Sequence, residues 1–151
     1  MTRSATIRIL IADDHAEVRS SLRAILSGQP GWEIVAEAAN GLQAVELAAE
    51  TRPDVAILDY RLPLQNGIEA ARAIRASCPA TEVLLFTIHG GRQLIRKLLE
   101  AGARGYLSKS EARRYLIAAV EALSRHEPFF PDSVPRDLLD ACLGKRAAEP
   151  D

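Results

Sequence analysis

The chain has 151 residues, 48% apolar and 26% charged, with a formal net charge of −1. That length holds one ordinary domain with a full core plus a short tail, and the composition excludes a disordered chain. Near-neutrality gives this segment no electrostatic footprint for nucleic acid. No apolar run approaches the ~20 residues that span a bilayer, and the opening MTRSATIRILIADD lacks a signal-peptide layout, so no membrane partner is expected. Cys78 and Cys142 lie far apart without metal-like spacing and read as reduced thiols of a cytoplasmic protein.

Short apolar runs alternate with amphipathic stretches from residue 7 to about residue 125. Residues 7–12 predict a first strand. Val18, Leu22, Ile25 and Leu26 then share one helical face, which Gly28 ends. Residues 33–38 predict a second strand, and Asn40-Gly41 turns into a helix carrying Leu42, Val45 and Ala49. Residues 54–59 form a third strand whose Val-Ala-Ile-Leu centre is continuously apolar, as burial on both faces requires. Ile68, Ala71 and Ile74 mark a third helix that stops before Pro79. Residues 82–87 are a fourth buried strand, followed by a helix striped with Leu94, Ile95, Leu98 and Leu99. Residues 104–108 make a fifth strand, and Tyr115, Leu116, Ala119, Val120 and Leu123 define a fifth helix. Five β-then-α units imply a flavodoxin-like (βα)5 doubly wound α/β domain, a parallel sheet in the order 2-1-3-4-5. Residues 1–126 are assigned to it. Residues 127–151 change character: prolines at 128, 131, 135 and 150 surround one apolar set, Leu138, Leu139, Cys142 and Leu143. They predict a linker with one short helix.

Ligands of open parallel sheets bind beyond the carboxyl ends of the strands, where the strand order reverses. The first strand ends in Asp13-Asp14, the third in Asp59, the fourth in Thr87 and the fifth in Ser108-Lys109. Strands one and three are neighbours at the switch point, so three carboxylates share one crevice with a hydroxyl and an ammonium across it. Like charges about 4 Å apart cost on the order of 4 kcal/mol at an effective dielectric of 20. Such a cluster takes up protons or a cation, and all-oxygen ligands in a partly open site favour Mg²⁺. Metal charge would allow Asp59 to attack a phosphoryl group as a nucleophile, with Lys109 as a second counter-charge and Thr87 as a hydrogen-bond donor.

Ala12-Asp13-Asp14-His15, Asp59-Tyr60-Arg61-Leu62-Pro63 with Gly67, Thr87, and Gly105-Tyr106-Leu107-Ser108-Lys109 resemble the signature positions of response-regulator receiver domains. The ADDH opening, the VAEAANG stretch and the GYLSK segment most resemble the NarL/FixJ (LuxR-type) branch. That resemblance covers residues 7–126. It implies Asp59 as phosphoacceptor, Asp14 as a direct Mg²⁺ ligand, Asp13 acting largely through water, and the Arg61 backbone carbonyl as a further ligand. It makes Thr87 and Tyr106 a switch pair and sets Lys109 on a phosphoryl oxygen. It further implies a sensor histidine kinase or phosphotransfer protein as donor and homodimerisation on phosphorylation, through the helix 4–strand 5–helix 5 face or helices 1 and 5. Output on transcription would run through a helix-turn-helix DNA-binding domain beyond residue 151, and the domain is a switch that catalyses only its own phosphorylation and dephosphorylation. Leu62 stands where the family often has Met. Ser110 stands where many receivers have Pro, so a cis peptide after Lys109 is not assumed.

Other readings compete. Asp13-Asp14 could merely cap the first helix, and His15, His89 and His126 read as structural or surface residues. A nucleotide- or flavin-binding module needs a Gly- or hydroxyl-rich first turn, where this chain has Asp-Asp-His-Ala-Glu. A phosphatase with an Asp nucleophile usually spaces its acids by one residue and places the nucleophile on the first strand. A stand-alone receiver or a pseudo-receiver, keeping the fold as an interaction module, is the remaining alternative.

Overall fold

The computed structural model describes residues 6–88 and 90–141; the features read at His89, Cys142, Leu143 and Pro150 lie outside them. The elements run β1 (Ile7–Ala12), α1 (Ala16–Ser27), β2 (Trp32–Ala38), α2 (Gly41–Thr51), β3 (Val55–Asp59), α3 (Gly67–Ser77), β4 (Glu82–Thr87), α4 (Arg92–Glu100), β5 (Gly105–Ser108), α5 (Ala112–Ser124) and α6 (Arg136–Leu139). The five strands form one parallel sheet in the order β2-β1-β3-β4-β5, as the alternation of elements predicts. Strand ends differ from the expected ones by one residue at most, starting at Trp32, Val55 and Gly105. No helix among the described residues is long and apolar enough to cross a membrane.

Every residue of β3 and β4 is buried, because helices cover both faces of the sheet. Period-two alternation splits the core. Leu10, Ala12, Ala56, Leu58, Val83 and Leu85 face α2, α3 and α4. Ile9, Ile11, Val55, Ile57, Leu84 and Phe86 face α1 and α5. Each fully buried Leu or Ile contributes about 1.5–3 kcal/mol relative to exposure, so this double-sided burial holds the strand ends in place. Local chemistry sets the helix starts. Asn40 accepts from the Gln43 amide at 2.7 Å, and Asn66 and Glu69 close a reciprocal capping box.

One predicted face is corrected. The buried side of α2 is Gly41, Ala44 and Ala48, whereas Leu42 is 43% exposed and Ala49 is also exposed. Small side chains let the helix lie close to the sheet, so the bulkier Val45 and Leu47 flank the contact as half-buried neighbours.

The loop from β3 to α3 carries a backbone cost. Leu64 has φ 71 and is 73% exposed, so it pays left-handed strain without gaining burial. For an L-residue that conformation costs about 1–2 kcal/mol, part of which glycine returns as unfolded-state entropy. Leu64→Gly is therefore expected to stabilise the fold by about 0.5–1 kcal/mol. Its urea midpoint should rise at unchanged m-value; a fall would mean that Leu64 packs in solution.

Candidate functional site

Sheet register builds the site. Ala12 pairs with Leu58, so Asp13 and Asp59 leave adjacent strands side by side. Asp59 pairs with Phe86, which precedes Thr87, and Thr87 pairs with Ser108, which precedes Lys109. The Lys109 amide then donates to the Thr87 carbonyl at 2.8 Å, extending the ladder one residue past β5. Gly67 completes the floor: a Cβ there would lie 2.5 Å from the Asp59 carbonyl oxygen and 2.8 Å from the Tyr60 Cα. Only glycine lets α3 begin so close to the end of β3.

Lys109 bridges the two buried acids. Its Nζ lies 3.0 Å from Asp13 Oδ2 and 3.5 Å from Asp59 Oδ2, and 5.3 Å from the centroid of the Phe86 ring. Asp13 is fully buried and Asp59 is 4% exposed. Burial, then the neighbouring Asp13 charge, push the Asp59 carboxyl above the usual carboxylate range; Lys109 and the Arg61 backbone N–H pull it back in part. The site thus carries more negative charge than one lysine neutralises.

Asp13 is not a helix cap. The N-cap of α1 is His15, which makes no side-chain capping bond; Asp13 Oδ1 accepts from the His15 amide at 2.8 Å, and the Asp13 carbonyl accepts from Arg19 Nη1 at 2.6 Å. His15, read from sequence as a structural or surface residue, belongs to the acid cluster. Its Nδ1 lies 3.2 Å from both Asp13 Oδ1 and Asp14 Oδ1, and the three side chains could jointly hold a metal ion.

A cavity of about 610 Å³ opens over these groups, lined by Asp14, His15, Asp59, Tyr60, Arg61, Thr87 and Lys109, with Gly91, Leu94 and Lys97 of the α4 side as its far wall. All the predicted site residues except Asp13 and Tyr106 reach this cavity. Asp13 sits beneath it, bound to Lys109. Tyr106 points inward, 5% exposed, behind the loop that follows Thr87. Burial, then the Glu111 charge, push its hydroxyl up. All peptide bonds among the described residues are trans, that between Lys109 and Ser110 included.

A parallel sheet of this order, presenting a lysine-bridged acid pair at its switch point, defines a flavodoxin-like α/β domain built around a carboxylate pocket. The chain matches the response regulator receiver domain over residues 9–121, and it belongs to that family of signalling switches. It is 38% identical over 135 residues to the oxygen regulatory protein NreC of Staphylococcus epidermidis (strain ATCC 12228 / FDA PCI 1200), covering 89% of this chain and 62% of the relative. It is 35% identical over 133 residues to the transcriptional regulatory protein DegU of Brevibacillus brevis, covering 88% and 56%. Among solved structures, a LuxR-family two-component response regulator from Aurantimonas sp. SI85-9A1 superimposes with a TM-score of 0.81 at 36% identity, over 95% of this chain and 99% of that one. The signal receiver domain of the putative response regulator NarL from Mycobacterium tuberculosis gives 0.77 at 34% identity, over 81% and 98%. The chain thus resembles the NarL/LuxR-type receivers and spans only about three fifths of the length of those curated relatives.

Proposed function

We propose that the chain is a phosphorylation switch of a two-component system, with Asp59 as phosphoacceptor. The observation that carries this reading is the Lys109 Nζ between Asp13 Oδ2 and Asp59 Oδ2 at the cavity floor. An Asp59 carboxylate oxygen attacks phosphorus, the bond from phosphorus to the donor's imidazole nitrogen or acetate oxygen breaks, and that leaving group departs with the bonding pair. Lys109 moves from Asp59 to a phosphoryl oxygen at no cost in desolvation, because it is already held in the pocket by Asp13. The Thr87 hydroxyl, at the cavity wall, donates to another.

The residues present fit Mg²⁺. Asp13 and Asp14 carboxylate oxygens lie together beside His15 Nδ1, Asp59 shares the Lys109 ammonium with Asp13, and a cation would relieve the Asp13 charge that, after burial, holds the Asp59 carboxyl up. Asp14 would bind it directly, Asp13 through water, and the Arg61 carbonyl would complete the protein's share. When bound, the ion supplies charge neutralisation for the phosphoryl oxygens.

The donor is a sensor histidine kinase or a phosphotransfer protein, in the cytoplasm. Output is transcriptional, through homodimerisation and a helix-turn-helix domain beyond residue 151; the greater length of the regulatory relatives supports this. Incubation with acetyl phosphate and Mg²⁺, followed by intact mass, tests the core claim. One phosphoryl mass should appear, and it should vanish in Asp59→Ala and on chelation of the metal. No gain, or a gain that persists in Asp59→Ala, refutes it.

A further inference from the structure

Asp13 uses its two carboxylate oxygens for different partners. Oδ2 takes the Lys109 ammonium at 3.0 Å, and Asp59 shares that ammonium at 3.5 Å. Oδ1 instead accepts from the His15 amide at 2.8 Å. His15, the N-cap of α1, is extended at φ −100 and ψ 114, and its ring makes no capping bond. The ring lies against the two acids, with Nδ1 3.2 Å from Asp13 Oδ1 and 3.2 Å from Asp14 Oδ1. One ligand atom from each of Asp13, Asp14 and His15 falls within 4.8 Å of the other two; among the described residues this group does not include Asp59. The His15 side chain is 62% exposed and lines the cavity together with Asp14, so an ion reaches the three from solvent.

Spacing and donor type together point to an ion other than Mg²⁺. An ion with bonds of about 2.1 Å to nitrogen and oxygen holds neighbouring donors roughly 3.0–3.4 Å apart, in octahedral or tetrahedral order. Both separations from His15 Nδ1, at 3.2 Å, lie in that interval. Each carboxylate oxygen has two lone pairs, so Asp13 Oδ1 can keep the His15 amide and still face an ion. Three protein ligands would leave the remaining positions to water. Mg²⁺ takes oxygen ligands and sheds its waters reluctantly, which gives it little use for an imidazole. Imidazole nitrogen suits Co²⁺, Ni²⁺ and Zn²⁺, and the affinity of a mixed nitrogen–oxygen site rises along the first row toward them.

We propose that Asp13, Asp14 and His15 form a site for a transition ion of the Co²⁺–Zn²⁺ class, with His15 as the ligand that sets the preference. This donor set differs from the all-oxygen set assigned to Mg²⁺ above, and Asp14 belongs to both, so the two ions exclude one another. A transition ion held by the triad keeps Mg²⁺ from Asp14 while leaving Asp59 outside its donor set. Phosphorylation then fails for want of charge neutralisation at the phosphoryl oxygens. Only this last consequence rests on the phosphoacceptor reading; the binding preference does not.

Titration of the full chain with Co²⁺, read by calorimetry and by the visible d–d absorption, tests the site. Co²⁺ should bind at least tenfold more tightly than Mg²⁺. His15→Ala should weaken Co²⁺ at least tenfold and move its absorption to longer wavelength, since water is a weaker-field donor than imidazole. The same variant should change Mg²⁺ affinity less than twofold, and His126→Ala, at the opposite end of the sheet beside Glu82, should change neither. Equal Co²⁺ affinity and an unshifted spectrum in His15→Ala overturn the site: Nδ1 then only donates a forked hydrogen bond to the two acids. An equal loss of Mg²⁺ and Co²⁺ affinity in that variant overturns the preference, because His15 would then merely position the acids. Zn²⁺ added to acetyl phosphate and Mg²⁺ should slow the gain of phosphoryl mass at least tenfold, and His15→Ala should need at least tenfold more Zn²⁺ for the same effect. Undiminished mass gain with Zn²⁺ bound overturns the mutual exclusion, whereas no mass gain without Zn²⁺ overturns the phosphoacceptor reading instead.

Discussion

Lys109→Met is expected to cost about 2–4 kcal/mol of unfolding free energy at pH 8, and to slow phosphorylation by acetyl phosphate at least tenfold. Breaking a buried ion pair by removing one partner typically costs about 3–5 kcal/mol; the opening of this site onto a cavity reduces that. Methionine keeps the volume over Phe86 but strands two buried carboxylates, Asp13 and Asp59, beside each other. The loss must depend on pH. Without Lys109 the Asp59 carboxyl rises further, because the two contributions of Lys109 that lower it disappear. An acid whose folded pKa exceeds its unfolded one binds more protons in the folded state, so stability falls as pH rises from the unfolded value to the folded one. Urea titrations at pH 5 and pH 8 should show the variant closer to wild type at the lower pH, with millimolar Mg²⁺ restoring part of the loss. An equal deficit at both pH values would mean that Lys109 acts only through packing.

The second large effect is expected at Asp59 itself, with the opposite sign for stability. Asp59→Asn should abolish phosphorylation on the proposed reading, yet stabilise the metal-free fold at neutral pH by on the order of 1–2 kcal/mol, within the usual range for single substitutions. At this chain length that is roughly 2–4 °C in Tm per kcal/mol. The reason is the raised carboxyl: burial and Asp13 make the ionised form unfavourable in the folded state, and asparagine keeps the shape without the charge. Since the folded pKa is raised, the wild-type penalty is absent below the unfolded value of about 3.9 and grows as pH climbs through the folded value. The two proteins should therefore converge near pH 4 and diverge toward pH 7. Mg²⁺ at tenfold its Kd should stabilise the wild type by about 1.4 kcal/mol and the variant much less. A variant less stable than wild type at pH 7 without metal would show that Lys109 over-compensates the acids.

The fold was largely legible because its signals are local. A run such as Val55–Asp59 is continuously apolar because both its faces are covered, and that pattern needs no knowledge of the partner strands. Candidate site residues were legible for a related reason: polar residues at strand ends stand out against apolar runs, and a parallel sheet brings all such ends to one edge. The misreading of α2 shows the limit. Hydrophobicity favoured Leu42, Val45 and Ala49, while the sheet accepted Gly41, Ala44 and Ala48, since close approach rewards small volume over apolar size. His15 is the exposed residue the sequence suggests, and only ring placement brings its Nδ1 beside Asp13 and Asp14.

By itself, the sequence determined that five β-then-α units follow one another and that Asp13, Asp14, Asp59, Thr87 and Lys109 end the strands; alternation and burial patterns act over a few residues and are written in order. Only the tertiary structure decided that Lys109 reaches across 96 positions to Asp13, that Tyr106 lies inward against Gly90, and that residues 126–140 fold back over β5. Those contacts depend on strand order and register, which set distances between residues remote in the chain and leave no local periodicity to read.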